Sequence, residues 1–207
     1  MLHWMKIEAK NLSKRFNREW IFKNLNYQFT ETFYAITGPN GSGKSTLLQT
    51  LWGQMLPSAG EVIYTQNEKV IPAEDAFRHV AIATPYLELI DEFTLTEMVD
   101  FHFRFKKPRH NKTTKELLEL FELSHARDKA IANFSSGMRQ RLKLGLAFYA
   151  QAEFLFLDEP TTNLDKKAIG WYQQHLSSIS DSLVLIASNQ EHEYPATATK
   201  LDILTYK

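Results

Sequence analysis

The stretch 38-GPNGSGKST-46 lies between the apolar run 33-FYAIT-37 and a segment expected to be helical from Lys44 to about Trp52. It fits G-x-x-x-x-G-K-[ST] in the strand–loop–helix setting that gives this pattern its physical meaning. Glycines at 38, 41 and 43 let backbone N–H groups turn inward as an anion nest at a helix N-terminus. Lys44 can then reach the outer phosphates of a bound ligand, and Ser45 can offer its hydroxyl to Mg²⁺. The whole of Gly38, Pro39, Asn40, Gly41, Ser42, Gly43, Lys44, Ser45 and Thr46 is read as one phosphate-binding loop. The bland alternative is a glycine-rich turn that binds nothing, and the complete pattern between strand and helix argues against it.

Working outward, strand-like runs at "WMKIEAK" and "IFKNLNYQFT" precede the loop. "GEVIYTQNEKVI" reads as a hairpin around Gln66-Asn67, and "HVAIAT" as a buried strand. From Thr94 to about Phe134 the period becomes helical, with Leu95, Met98, Val99, His102 and Phe103 on one face and Leu117, Leu120 and Phe121 on another. A basic helix, the run "EFLFLDEP", a helix near Asp165 to Ile179, and strands at "SLVLIAS" and "LDILTY" complete the chain. Strands alternating with helices predict an α/β fold with a mainly parallel sheet. An N-terminal antiparallel β portion and a small helical portion branch from it.

The chain has 207 residues, 43% of them hydrophobic, enough for a proper core. Lys+Arg and Asp+Glu are both 24, so nucleic acid bound through bulk charge is not expected. Absence of cysteine excludes disulfides, thiolate metal sites and a cysteine nucleophile. The start "MLHWMKIEAK" lacks a signal-peptide core, and no window approaches the roughly 20 apolar residues of a span. Direct membrane insertion is therefore not expected, and a cytosolic chain is.

Two more stretches carry chemistry. In 154-FLFLDEP-160 an apolar run ends in paired carboxylates, so Asp158 would hold the hydration shell of Mg²⁺ and Glu159 would polarise an attacking water. In 134-FSSGMRQRLKLG-145 two hydroxyls and a glycine open a helix bearing Arg139, Arg141 and Lys143. Small residues and a free hydroxyl at a helix start form an anion site, although Ser135 as a plain N-cap explains the turn equally well from the residues alone.

The phosphate loop, "FLFLDEP", the Ser-Ser-Gly turn between them and 161-TTNLD-165 together resemble the ATP-binding subunit of an ATP-binding-cassette (ABC) transporter, along essentially the whole chain. The resemblance implies ATP and Mg²⁺ as ligands and ATP hydrolysis as the activity. It implies one nucleotide-binding domain over residues 1–207, with a helical subdomain at about 92–150. A second cassette, identical or not, and an integral membrane permease are the implied partners. The location it implies is cytoplasmic, peripheral on the inner face of the membrane. The compact length is similar to that of small exporters, so export is the expected direction. The aromatic "FHFRF" region would then receive a helix of the permease, though ordinary core explains those rings as well.

By the same resemblance, the turn at Phe134–Met138 is a signature sequence that usually reads Leu-Ser-Gly-Gly-Gln. Ser135 and Gly137 match it, and would contact ATP held by the second subunit. Asp165 matches a loop acid linking the two ATP sites, and doubles as a helix N-cap. Phe16 falls where the family stacks an aromatic on adenine, with Trp20 and Phe22 as competitors. Two positions depart from the pattern. Pro85 occupies the place of a glutamine that touches Mg²⁺ and water, so that contact is missing or is made by Thr84 or Glu88. Asn189 replaces a histidine on the γ-phosphate, keeping a hydrogen-bond donor but no titratable proton. Two other classes compete: a soluble cassette ATPase acting on a protein or nucleoprotein assembly, and a P-loop kinase. The kinase has no use for "SSGMRQ" or "TTNLD".

Overall fold

The computed structural model describes residues 5–207. Trp4, the first residue of the "WMKIEAK" run, lies outside the described residues. Strands β1 (Met5–Phe16) and β2 (Glu19–Phe29) form an antiparallel hairpin. Strands β4 (Ala59–Gln66) and β5 (Lys69–Ile71) extend it into a sheet of order β2-β1-β4-β5. The second hairpin turns at Asn67-Glu68, one residue later than expected, with both residues at positive φ (49° and 65°). Two left-handed residues in a two-residue loop match the twist of the flanking strands.

The second sheet is parallel and five-stranded, of order β6-β7-β8-β3-β9. Its members are β3 (Phe33–Thr37), β6 (Val80–Ala83), β7 (Phe154–Asp158), β8 (Leu183–Ala187) and β9 (Thr199–Asp202). Every residue of β7 and β8 is buried, as a central parallel strand requires when both faces are covered. The pleat divides them: Phe154, Phe156 and Leu185 face the antiparallel sheet and helix α1 (Lys44–Leu51). Leu155, Leu157, Val184 and Ile186 face helices α4 (Ser136–Tyr149) and α5 (Lys166–Ser177). The expected strand "LDILTY" is corrected. Pairing stops at Asp202, and Ile203–Tyr206 coil into a 3-10 turn capped by the Asp202 side chain on the Leu204 N–H at 2.9 Å.

Helices α2 (Leu95–Phe105) and α3 (Thr114–Leu120) each begin in a capping box, Thr94 with Glu97 and Thr113 with Glu116. They enclose an apolar cluster of their own that includes Leu95, Val99, Leu117, Phe121 and Ile131. Helix α4 joins this cluster to the main core: Leu142 and Leu146 pack into the helical block, Leu144, Ala147 and Phe148 against the parallel sheet. Gly145 sits where an added Cβ would lie 2.6 Å from the Phe121 ring, so the ring packs flat on bare backbone. No helix among the described residues is long and apolar enough to cross a membrane.

Candidate functional site

Strands β7, β8 and β3 are neighbours, so the loops leaving their C-terminal ends meet at one edge of the sheet, where open α/β sheets bind ligands. The loop after β3 is the predicted phosphate loop. Gly38 (φ 138°) and Gly43 (φ 101°) adopt conformations that L side chains rarely take, and a Cβ on Gly43 would lie 2.3 Å from Ile21 Cγ2. This contact also brings the start of β2 against the loop. Lys44 is buried, its ammonium donating to the carbonyls of Gly38 at 2.9 Å and Pro39 at 3.2 Å. Burial lowers its pKa, opposed by the charges of Glu159 and Asp158.

The loop and the acidic strand end touch directly. Ser45 Oγ donates to Asp158 Oδ1 at 2.9 Å across 113 residues of sequence. Asp158 is 1% exposed and its Oδ2 has no partner. Burial pushes its pKa up to about 6, against the lowering effect of the Ser45 bond. A buried, half-satisfied carboxylate beside a hydroxyl is an incomplete set of hard oxygen donors, which suits Mg²⁺ with its retained waters. Glu159 is exposed, at φ 42°, its N–H bonded to the Ala187 carbonyl at 3.0 Å. A glutamate in the left-handed region is strained, and the chain leaves the strand line there with the residue exposed. From the loop after β8, Asn189 Nδ2 donates to Asn40 Oδ1 at 2.7 Å, bringing position 189 onto the phosphate loop.

The remaining predicted residues lie in several places. Phe16 is 46% exposed with Lys14 Nζ 5.2 Å from its ring centroid, whereas Phe22 is fully buried and is removed as a competitor. Ser135 caps α4, accepting from the Met138 N–H at 3.2 Å, and remains exposed. Gly137 packs on the Asn163 carbonyl, which a Cβ would meet at 3.0 Å. Asp165 caps α5, accepting from the Ala168 N–H at 2.7 Å. Pro85 contributes its carbonyl, which accepts from Lys143 Nζ at 2.7 Å. The basic side chains of α4 are engaged internally: Arg139 pairs with Asp91 at 2.6 Å and Arg141 with Glu122 at 2.7 Å.

Sequence reasoning missed two buried polar residues. Gln140 Nε2 donates to the Pro160 carbonyl at 2.8 Å, tying α4 to the segment after Glu159. Glu193, fully buried, bonds Thr161 and Ser188. No pattern marks either, because Gln140 lies in a charged helix and Glu193 in the acidic-looking "QEHE".

A glycine loop between strand and helix, joined through Ser45 to an acidic strand end in a parallel sheet, defines a P-loop nucleotide-binding protein. The ABC transporter family model matches residues 22–162. The uncharacterized ABC transporter ATP-binding protein YcbN of Bacillus subtilis is 26% identical over 96% of this chain and 66% of its own length. The Nod factor export ATP-binding protein I of Burkholderia lata is 30% identical over 84% of this chain and 58% of its own. The sulfate/thiosulfate import ATP-binding protein CysA of Bradyrhizobium diazoefficiens is 30% identical over 90% and 58%. The chain thus spans about three-fifths to two-thirds of the length of these curated relatives. A solved putative ABC transporter ATP-binding protein from Pyrococcus furiosus shares the fold, with TM-score 0.79 and 20% identity over 98% of this chain and 99% of that one. The chain belongs to the ABC transporter family, among the ATP-binding proteins, which are ATPases as a class.

Proposed function

We propose that this chain, as a single nucleotide-binding domain, binds and hydrolyses ATP to power a separate membrane permease. The Ser45–Asp158 contact carries the reading, because it joins phosphate loop and acidic strand end in one site. The inward N–H groups of Gly38–Thr46 hold the phosphates, and Lys44 exchanges its two carbonyl partners for phosphate oxygens. Phe16, partly exposed, stacks on the adenine. Ser45 and Asp158 would hold Mg²⁺, which supplies charge neutralisation on the outer phosphates. Glu159 accepts a proton from the attacking water, and Asn189, already at Asn40, donates to the outermost phosphate.

Ser135, Gly137 and Asp165 act on a second cassette in a head-to-tail dimer. Ser135 and the α4 N-terminus are exposed, so they can meet phosphate presented by another chain. The permease holds the assembly on the cytoplasmic face of the membrane. The curated relatives are named for both export and import, so the export expected from the chain's compact length draws no support from them.

Glu159→Gln and Lys44→Ala separate binding from chemistry. Glu159→Gln keeps shape and loses the base, so MgATP should persist and shift the protein to a dimer on size-exclusion chromatography. Lys44→Ala removes a phosphate-binding charge, so MgATP should produce no such shift. A Glu159→Gln protein that holds ATP yet stays monomeric at high concentration would refute the two-cassette arrangement.

A further inference from the structure

Glu193 ends a 3-10 turn (Glu191–Glu193) beyond β8 and is fully buried. A buried carboxylate is strongly unfavourable unless donors surround it. Its two oxygens are divided between two loops. Oε1 accepts from the Thr161 N–H at 2.9 Å and from the Thr161 hydroxyl. Oε2 accepts from the Ser188 hydroxyl. Thr161 is two residues past Glu159, and Ser188 immediately precedes Asn189, so one side chain holds both loops that carry reacting groups.

The turn that presents Glu193 is itself anchored. Tyr172 Oη donates to the Glu193 carbonyl at 2.6 Å, and Gln173 Nε2 to the His192 carbonyl at 3.0 Å, both from α5. The exposed His192 ring lies 3.0 Å from Thr161 Oγ1 and adds a second tie to that loop. Such a hold matters because Glu159 starts its loop at a strained φ of 42°, and Asn189 reaches Asn40 through one exposed hydrogen bond. Neither side chain would keep its place if the loops drifted apart.

We propose that Glu193 is a positioning residue for ATP hydrolysis, clamping the β7 loop to the β8 loop and so fixing Glu159 and Asn189 against the phosphate loop. This rests on the ATPase reading above. A clamp of this kind acts on turnover, because misplacing a reacting group by about 1 Å costs on the order of 100-fold in rate. A purely structural Glu193 would instead lower stability and leave turnover per folded molecule unchanged.

The test uses the full chain, whose lack of cysteine allows clean spin labelling at the exposed positions Asn163 and Gln190. The label-to-label distance distribution should be narrow in the parent and broaden in Ser188→Ala, Thr161→Val and Glu193→Ala. In hydrolysis assays kcat should fall about 10- to 100-fold in Glu193→Ala and about 3- to 10-fold in each single-arm variant, with KM for ATP within about threefold of the parent. Glu193→Gln should recover most of kcat, because its carboxamide can accept from Thr161 and donate to the Ser188 hydroxyl. The single-arm variants decide the matter if Glu193→Ala fails to fold. An unchanged distance distribution, or kcat per folded molecule within about twofold of the parent in both single-arm variants, overturns the clamp. A parent that hydrolyses no ATP overturns the ATPase reading instead, and the distance measurement still judges the clamp.

Discussion

At Asp158, burial and function pull in opposite directions. Its carboxyl is 1% exposed and titrates near 6, above the range of an unfolded aspartate. A folded-state pKa above the unfolded value means that ionisation destabilises the fold. The penalty is absent below about pH 4 and reaches on the order of 3 kcal/mol as pH rises past about 6. Asp158→Asn should therefore unfold at a higher temperature than the parent near neutral pH, with the gap closing toward about pH 4, as thermal melts across that range would record. The same variant should lose Mg²⁺-dependent hydrolysis, because a neutral amide oxygen holds Mg²⁺ less strongly than a carboxylate does. A variant that melted below the parent at every pH would contradict the assignment of strain to the charge. Asp158 was legible in the sequence because an apolar run ending in acids has few other uses beside a phosphate loop. Glu193 was not, since its partners lie 5 and 32 positions away and only the fold brings them together. Asn189 was legible through family resemblance, but its partner Asn40, 149 positions away, was not.

At the scale of elements, the strands of the parallel sheet were readable because burial on both faces leaves continuous apolar runs. The last strand was misplaced by a few residues, since "LDILTY" is as apolar as a strand while Asp202 caps a turn inside it. Helix α4 presented the opposite difficulty: its basic residues resemble a binding face, yet Arg139, Arg141 and Lys143 are all spent on internal partners. Its Gly145 is equally opaque in sequence. Gly145→Ala gains about 1 kcal/mol of helix propensity but drives a methyl into the Phe121 ring, an overpacking worth about 1–3 kcal/mol. Denaturant unfolding should therefore show a net loss, and adding Phe121→Leu to the same chain should recover part of it. A Gly145→Ala protein more stable than the parent would show that the ring yields freely.

For the molecule as a whole, the proposed division of each ATP site between two chains has a direct consequence. Lys44→Ala and Ser135→Arg should each abolish hydrolysis, whereas an equal mixture should regain part of it through dimers with one intact Lys44–Ser135 site. An ATPase assay on the mixture reads this, and cysteines at Ser42 and Ser136 should cross-link between chains when ATP is present. Links formed only within a chain would place Ser135 over its own phosphate loop and defeat the proposal. Helix α4 also has a mechanical side. Its C-terminal half is fixed in the core of the parallel sheet by Leu144, Ala147 and Phe148, while its N-terminal end carries Ser135 in the open. The distance from Phe148 to Ser135 along the helix is about 20 Å. Pivoting on Phe148, a tilt of about 10° sweeps the Ser135 end through roughly 3.5 Å, the reach of one hydrogen bond. The tip is not free to swing alone, since Gln140 on the Pro160 carbonyl and Gly137 against the Asn163 carbonyl tie it to the loop after β7, so a push on the helical block that moves Ser135 must carry that loop with it.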